Sequence, residues 1–299
     1  MNTSDRIAKH CKKILDNRQL AIAYAIVFAI LPFTSWLSVA LVALITLRKG
    51  GRSGFDVLVP ALVIHSAPLM ILVPWSTALI HASIAYLPVY FAAFLLRRSE
   101  KWQIVFGAWF MTAAGICVYV QYFYPDFITL QYQHIHSLLV QYQELMNNSV
   151  DGLSVPVLAQ LFFGLQILSV VISSSLSLFC ARAIQARLFV PGGFKYEVLT
   201  FRSGKFGVLM LFTTSLGAYY QIPLAINLLP MVLCYLFASG FGLVFFVLSR
   251  KSQFRILLLM VLLILLRPTF VIFAYIIMGT LDSFINFRAY LPERVGETI

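Results

Sequence analysis

Apolar residues in this chain come in long runs rather than alternating with polar ones. Stretches at 20–47, 55–96, 102–123, 153–181, 206–249 and 256–281 carry almost no ionised side chain. A run of about 18 or more such residues can cross a hydrocarbon layer roughly 30 Å thick as an α-helix. Alternation at a period of two, which a transmembrane barrel requires, is absent. The pattern predicts an all-α polytopic membrane protein with about eight or nine transmembrane helices.

Breaks inside the runs divide them further. The first run is interrupted by "LPFTSW", where Pro32, Thr34 and Ser35 can turn the chain. This predicts a broken pair of short helices near the N-terminus, at 20–31 and 35–47. Three hairpins follow: 55–73 with 75–96 about Pro74, 102–123 with 153–181, and 206–221 with 224–249 about "QIPLA". The last run carries Arg267-Pro268 near its middle. A single kinked span would leave the C-terminus outside, and a second broken hairpin would return it inside.

Composition sharpens this picture. Hydrophobic residues make up 61% of the chain and charged ones only 11%, against roughly 25% charged in a soluble domain. The net charge is +11, but the basic residues punctuate the apolar runs instead of forming one soluble face, which excludes nucleic acid as a partner. They cluster at 6–18, 48–52, 97–101, 182–205 and 250–255, and no Lys or Arg falls in 53–96, 102–181 or 206–249. Because basic loops are retained on the cytoplasmic side, this spacing sets the topology of a multi-pass protein of the bacterial inner membrane with its N-terminus inside. The resulting division is a basic amphipathic helix at 1–19, one transmembrane domain at 20–281 and a tail at 282–299. An outer loop at 124–152 and a cytoplasmic elbow at 182–205 lie within the transmembrane domain. The lipid bilayer is the expected partner, with anionic headgroups meeting the elbow at Lys195, Arg202 and Lys205.

Candidate chemistry is sparse. The four cysteines are far apart and suggest neither a metal nor a redox site. His134 and His136 stand two apart, so they point to different faces of a helix, and no metal is expected. In the outer loop Phe127, Leu130, His134 and Leu138 recur at helical spacing, which predicts an interfacial helix. Ser169, Ser173 and Ser177 form a small-residue stripe for helix packing. No nucleophile stands with a base and no carboxylates are paired, so no enzyme and no cofactor is expected.

Ionisable groups at membrane depth are costly. His65 lies nine residues before Pro74 and His81 seven after it, so they fall at similar heights on antiparallel neighbours. With Gln166 and Arg267, near the middles of their segments, they form one candidate polar layer. Two readings stay open: a solute cavity, or polar side chains bonded to carbonyls that nearby prolines leave open.

The elbow "ARAIQARLFVPGGFKYEVLTFR" and the ending "GTLDSFINFRAYL" are similar to motifs of the YybS-like family of multispanning bacterial membrane proteins. At the elbow the matching residues are Arg182, Gln185, Pro191, Gly192, Gly193 and Phe194, with Val190 where that family carries Asn. In the tail they are Asp282 and Arg288. The opening "WLSVALVALITLRKG" resembles the same family's first helical pair. The resemblance implies a fold related to the substrate-binding subunits of energy-coupling-factor transporters, which take a small solute from outside and work with a separate ATPase module. It implies a solute-binding or transport subunit with a possible membrane or ATPase partner, the alternative being a non-catalytic scaffold for envelope assembly or lipid organisation. The topology predicts that reporter fusions at Gln133 and Gly193 land on opposite sides of the membrane; reporters sharing a side would overturn the hairpin scheme.

Overall fold

The computed structural model describes residues 11–31, 33–140, 154–248 and 253–290. Among them every regular element is a helix. Four helices are long and apolar enough to cross a membrane: Trp75–Ser99, Trp102–Phe123, Val155–Phe189 and Pro223–Leu248. Phe33, Ile71, Leu72 and Phe270 turn outward, an arrangement that suits a lipid surround better than water. The expectations for residues 1–10, for Pro32, for the loop beyond 140 and for the tail beyond 290 lie outside the described residues. The chain divides into two compact units, Met1–Trp109 with Ser169–Tyr196 and Phe110–Leu168 with Glu197–Ile299.

In the first unit, α1 (Arg18–Ile30) begins where the Asn17 side chain accepts from the backbone N–H groups of Gln19 and Leu20. It ends at the expected break, where the Thr34 hydroxyl donates to the carbonyls of Phe28 at 3.0 Å and Leu31 at 3.1 Å. Two otherwise orphaned acceptors are thereby satisfied. α2 (Ser35–Lys49) follows and is buried almost all round from Ser38 to Leu47, so it forms the centre of this unit. α3 (Gly51–Leu69) and α4 (Trp75–Ser99) complete the packing around it. Ala21, Ala25 and Ala29 let α1 approach closely. Across that contact Ser38 donates to the Ala25 carbonyl at 2.8 Å while accepting from the buried Tyr86 hydroxyl at 2.9 Å. Before α1, Ile14 and Leu15 are buried and Lys49 donates to the Asp16 carbonyl at 3.1 Å. The described part of the N-terminal helix therefore packs on protein, not only on lipid.

α5 (Trp102–Phe123) and α7 (Val155–Phe189) are long spans, with α6 (Phe127–Val140) between them. α6 occupies the expected interfacial segment, but its packed face is a different one. Ile128 is buried and the Tyr132 ring meets Phe162, whereas Phe127 and Leu130 are exposed. The serine stripe also shifts: Ser174 and Ser177 are buried with Leu178 and Ala181, while Ser169 and Ser173 face outward. A spacing of four residues advances by more than a full turn, so equal spacing did not identify the inward face.

In the second unit, α9 (Gly204–Tyr219) and α10 (Pro223–Leu248) form a hairpin about Gln221, which has φ 57°. α11 (Gln253–Leu266) and α12 (Pro268–Phe284) are separated by one non-helical residue, Arg267. The end of α12 is bonded to the start of α9 through Arg202 and Ser203. The described start of the tail therefore lies beside the start of α9. α10 and α12 cross at Gly240 and Gly279, where a Cβ on either glycine would strike the other helix's backbone. Such a contact excludes any side chain and maximises van der Waals packing between apolar helices. We expect Gly279→Val to lower the stability of the detergent-solubilised protein by about 1–3 kcal/mol, read as a fall in melting temperature. Gly115→Ala, where a Cβ meets nothing within 4 Å, should leave it unchanged or slightly raised.

Candidate functional site

The residues of the expected layer, His65, His81, Gln166 and Arg267, are distributed over both units. His65 and His81 belong to the first unit, and Gln166 and Arg267 to the second. The His65 ring lies on Tyr86, centroids 5.5 Å apart, and its Nδ1 is 3.4 Å from the Ala29 carbonyl oxygen. His81 is exposed while Ala78 and Ala82 on the same helix are buried. Arg267 is exposed at the break between α11 and α12. Gln166 is half-buried in α7.

The elbow and tail residues have clearer roles. α2 ends in Gly50, and the carbonyl of Leu47 accepts from Arg97 at 3.1 Å and from Gln185 at 3.4 Å. Arg97 also reaches the Thr46 carbonyl at 3.4 Å. Arg182 donates to the Gln185 Oε1 at 2.7 Å and so orients that amide, leaving its NH2 for Leu47. Two members of the motif therefore close the carbonyl end of the buried helix α2. The rest of the motif makes the turn. Pro191 follows the end of α7, Gly192 takes φ 87°, which disfavours a side chain, and Gly193 begins α8 (Gly193–Thr200). Phe194 packs on Phe179, which in turn meets Trp102. It is held by protein.

In the second unit the same device recurs with charge. Arg202 donates to the carbonyls of Asp282 at 2.6 Å and Ser283 at 3.2 Å, closing the end of α12. The Asp282 carboxylate is fully buried, with Arg288 Nε 3.4 Å and Arg202 Nε 3.9 Å from its Oδ2. These separations are ion pairs rather than good hydrogen bonds, and both carboxylate oxygens and Arg288 Nε lack a hydrogen-bond partner. Arg288 also donates to the carbonyls of Leu199 and Ser239. Burial draws the Arg288 pKa downward and the Asp282 carboxylate opposes it. Around this pair, Ser203 N–H donates to the Ser239 hydroxyl at 3.1 Å, Ser203 and Ser283 share a hydroxyl bond, and the Tyr235 hydroxyl donates to the Ser203 carbonyl at 3.2 Å. A carboxylate at a helix C-terminus opposes the helix dipole, and two guanidinium groups offset it. Arg202 is thereby withdrawn from the lipid-facing set, while Lys195 and Lys205 remain exposed.

The sequence did not reveal the partnership of Arg97, Arg202 and Ser239 with these ends, because each comes from a distant part of the chain. It also passed over Gln121, Gln160 and Asn227. Asn227 is 1% exposed and its Nδ2 donates to Gln160 Oε1 at 2.9 Å, leaving its own Oδ1 without a partner. A lone amide in an apolar run was the available signal. Among the described residues no group of three or more His, Cys, Asp or Glu is placed to hold a metal ion. No known protein family, characterised protein or solved structure matches this chain.

The cluster makes a specific prediction. Arg288→Ala strands the buried Asp282 beside a single, more distant guanidinium and should cost about 3–5 kcal/mol of stability. Replacing both partners, Asp282→Leu with Arg288→Met, should recover most of that loss. Thermal unfolding in detergent, compared across the two variants and the parent, provides the check.

Proposed function

We propose that this protein is a multi-pass solute-binding or transport subunit of the bacterial inner membrane, with eight or nine spans and a cytoplasmic N-terminus. The observation that carries the proposal is a short broken helix pair in each unit, α1 with α2 and α11 with α12, of 13, 15, 14 and 17 residues. Short or interrupted helices in both halves of a membrane protein are the usual framework of a mid-membrane solute site, since irregular backbone at that depth is tolerated only where protein or a cavity surrounds it. The resemblance of the elbow and tail to the YybS-like family, and through it to substrate-binding subunits of energy-coupling-factor transporters, favours the same reading. In this scheme the elbow, with exposed Lys195 and Lys205, meets anionic lipid and a separate ATPase partner at the cytoplasmic face. The Arg202–Asp282–Arg288 cluster holds the tail against that docking surface.

The test is a thermal-shift screen of small solutes on purified protein in lipid nanodiscs, followed by counterflow in proteoliposomes. At least one solute should give a saturable shift and exchange across the membrane. If a broad screen gives no shift while crosslinkers at Lys195 capture a partner protein, the transport reading fails and the scaffold reading replaces it.

A further inference from the structure

In the second unit a buried cysteine meets a buried asparagine, two half-buried glutamines stand on the flanking helices α5 and α7, and two polar atoms of these amides are buried with no hydrogen-bond partner. α5 places Cys117, which is fully buried and lies against the Asn227 side chain, and one turn later Gln121. The Gln121 Nε2 is buried without a hydrogen-bond partner. α7 brings Gln160, bonded to Asn227, and Gly164, where any Cβ would fall on the Asn227 backbone. α10 supplies Asn227 with an unpartnered Oδ1. The close approach at Gly164 holds Asn227 in place, and the Gln160 bond fixes which way its amide points. One free acceptor and one free donor remain, on helices whose stretches here, 110–123, 155–168 and 223–248, contain no Asp, Glu, Lys or Arg.

Resting on the solute-binding reading above, we propose that Gln121, Gln160 and Asn227 form a recognition layer for a neutral solute carrying adjacent hydrogen-bond donor and acceptor groups, such as an amide, lactam or ureide. Asn227 Oδ1 accepts from the solute N–H, and Gln121 Nε2 donates to its carbonyl. Buried polar atoms left unpaired in an apolar bundle are costly, and a complementary ligand removes that cost. The absence of charged side chains on these stretches sets the class, because a charged ligand would find no counterion there. A site built to hydrogen-bond a solute also rejects analogues that lack the matching group, by a larger factor than an apolar pocket achieves.

The experiment uses the full chain in nanodiscs, with nicotinamide, uracil and 2-pyrrolidone as probes and nicotinate and N-methyl-2-pyrrolidone as matched controls. Saturable binding of at least one probe is expected, at least tenfold weaker for its control. Asn227→Leu combined with Gln160→Met, which keeps volume and apolarity, should weaken that binding at least tenfold. Bound probe should also slow alkylation of Cys117 by N-ethylmaleimide, a readout that needs no variant to fold. Binding of some other solute class that the double variant leaves unchanged would overturn this layer while leaving the transport reading intact. A double variant that is more stable than the parent, with no probe protecting Cys117, would mean that the amides hold only each other or a water. No binding of any solute would remove both proposals together.

Discussion

The carbonyl end of a helix that is packed inside protein has no water to turn to, and this protein closes its buried ends with side chains from elsewhere in the chain. Arg97 and Gln185 serve α2, and Arg202 serves α12. Each bond joins residues more than 49 positions apart, so each one ties a loop or a neighbouring helix to a terminus. An unsatisfied carbonyl here would cost far more than it does at a wetted helix end. The elbow motif is therefore a fastening of the fold as much as a turn: Arg182 orients Gln185, and the glycines permit the change of direction that follows.

The second unit adds ionic and steric constraints to the same principle. Asp282 is buried only because Arg288 and Arg202 flank it, and Arg288 is placed by carbonyls of Leu199 and Ser239. The backbone approach at Gly240 and Gly279 sets how closely α10 and α12 lie, and so where the end of α12 meets the start of α9. Apolar packing alone cannot choose among helix registers in lipid, since lipid tails are as apolar as the side chains. Glycine contacts and a buried charge cluster supply that choice.

Function is read from the polar groups left over once these structural bonds are assigned. His65 contacts Tyr86 and the Ala29 carbonyl, while His81 is exposed. Asn227 and Gln121 retain unpartnered atoms, and the recognition layer proposed above is placed in the second unit for that reason.

By itself the sequence determined the class of the fold, the break between α1 and α2, the turn at Gly192 and the sites where charge interrupts the apolar runs, because each depends on local composition and backbone chemistry. Periodicity alone misjudged which faces of α6 and α7 pack, as Ile128 and Ser174 show, since the inward face is set by the neighbour a helix meets. The sequence also left open where the end of the last run lies, and only the bonds from Arg202 and Arg288 to residues far along the chain place the end of α12 beside the start of α9. The Gln160–Asn227 bond was likewise invisible, because the two residues are separated by 67 positions and only helix packing brings them into one place.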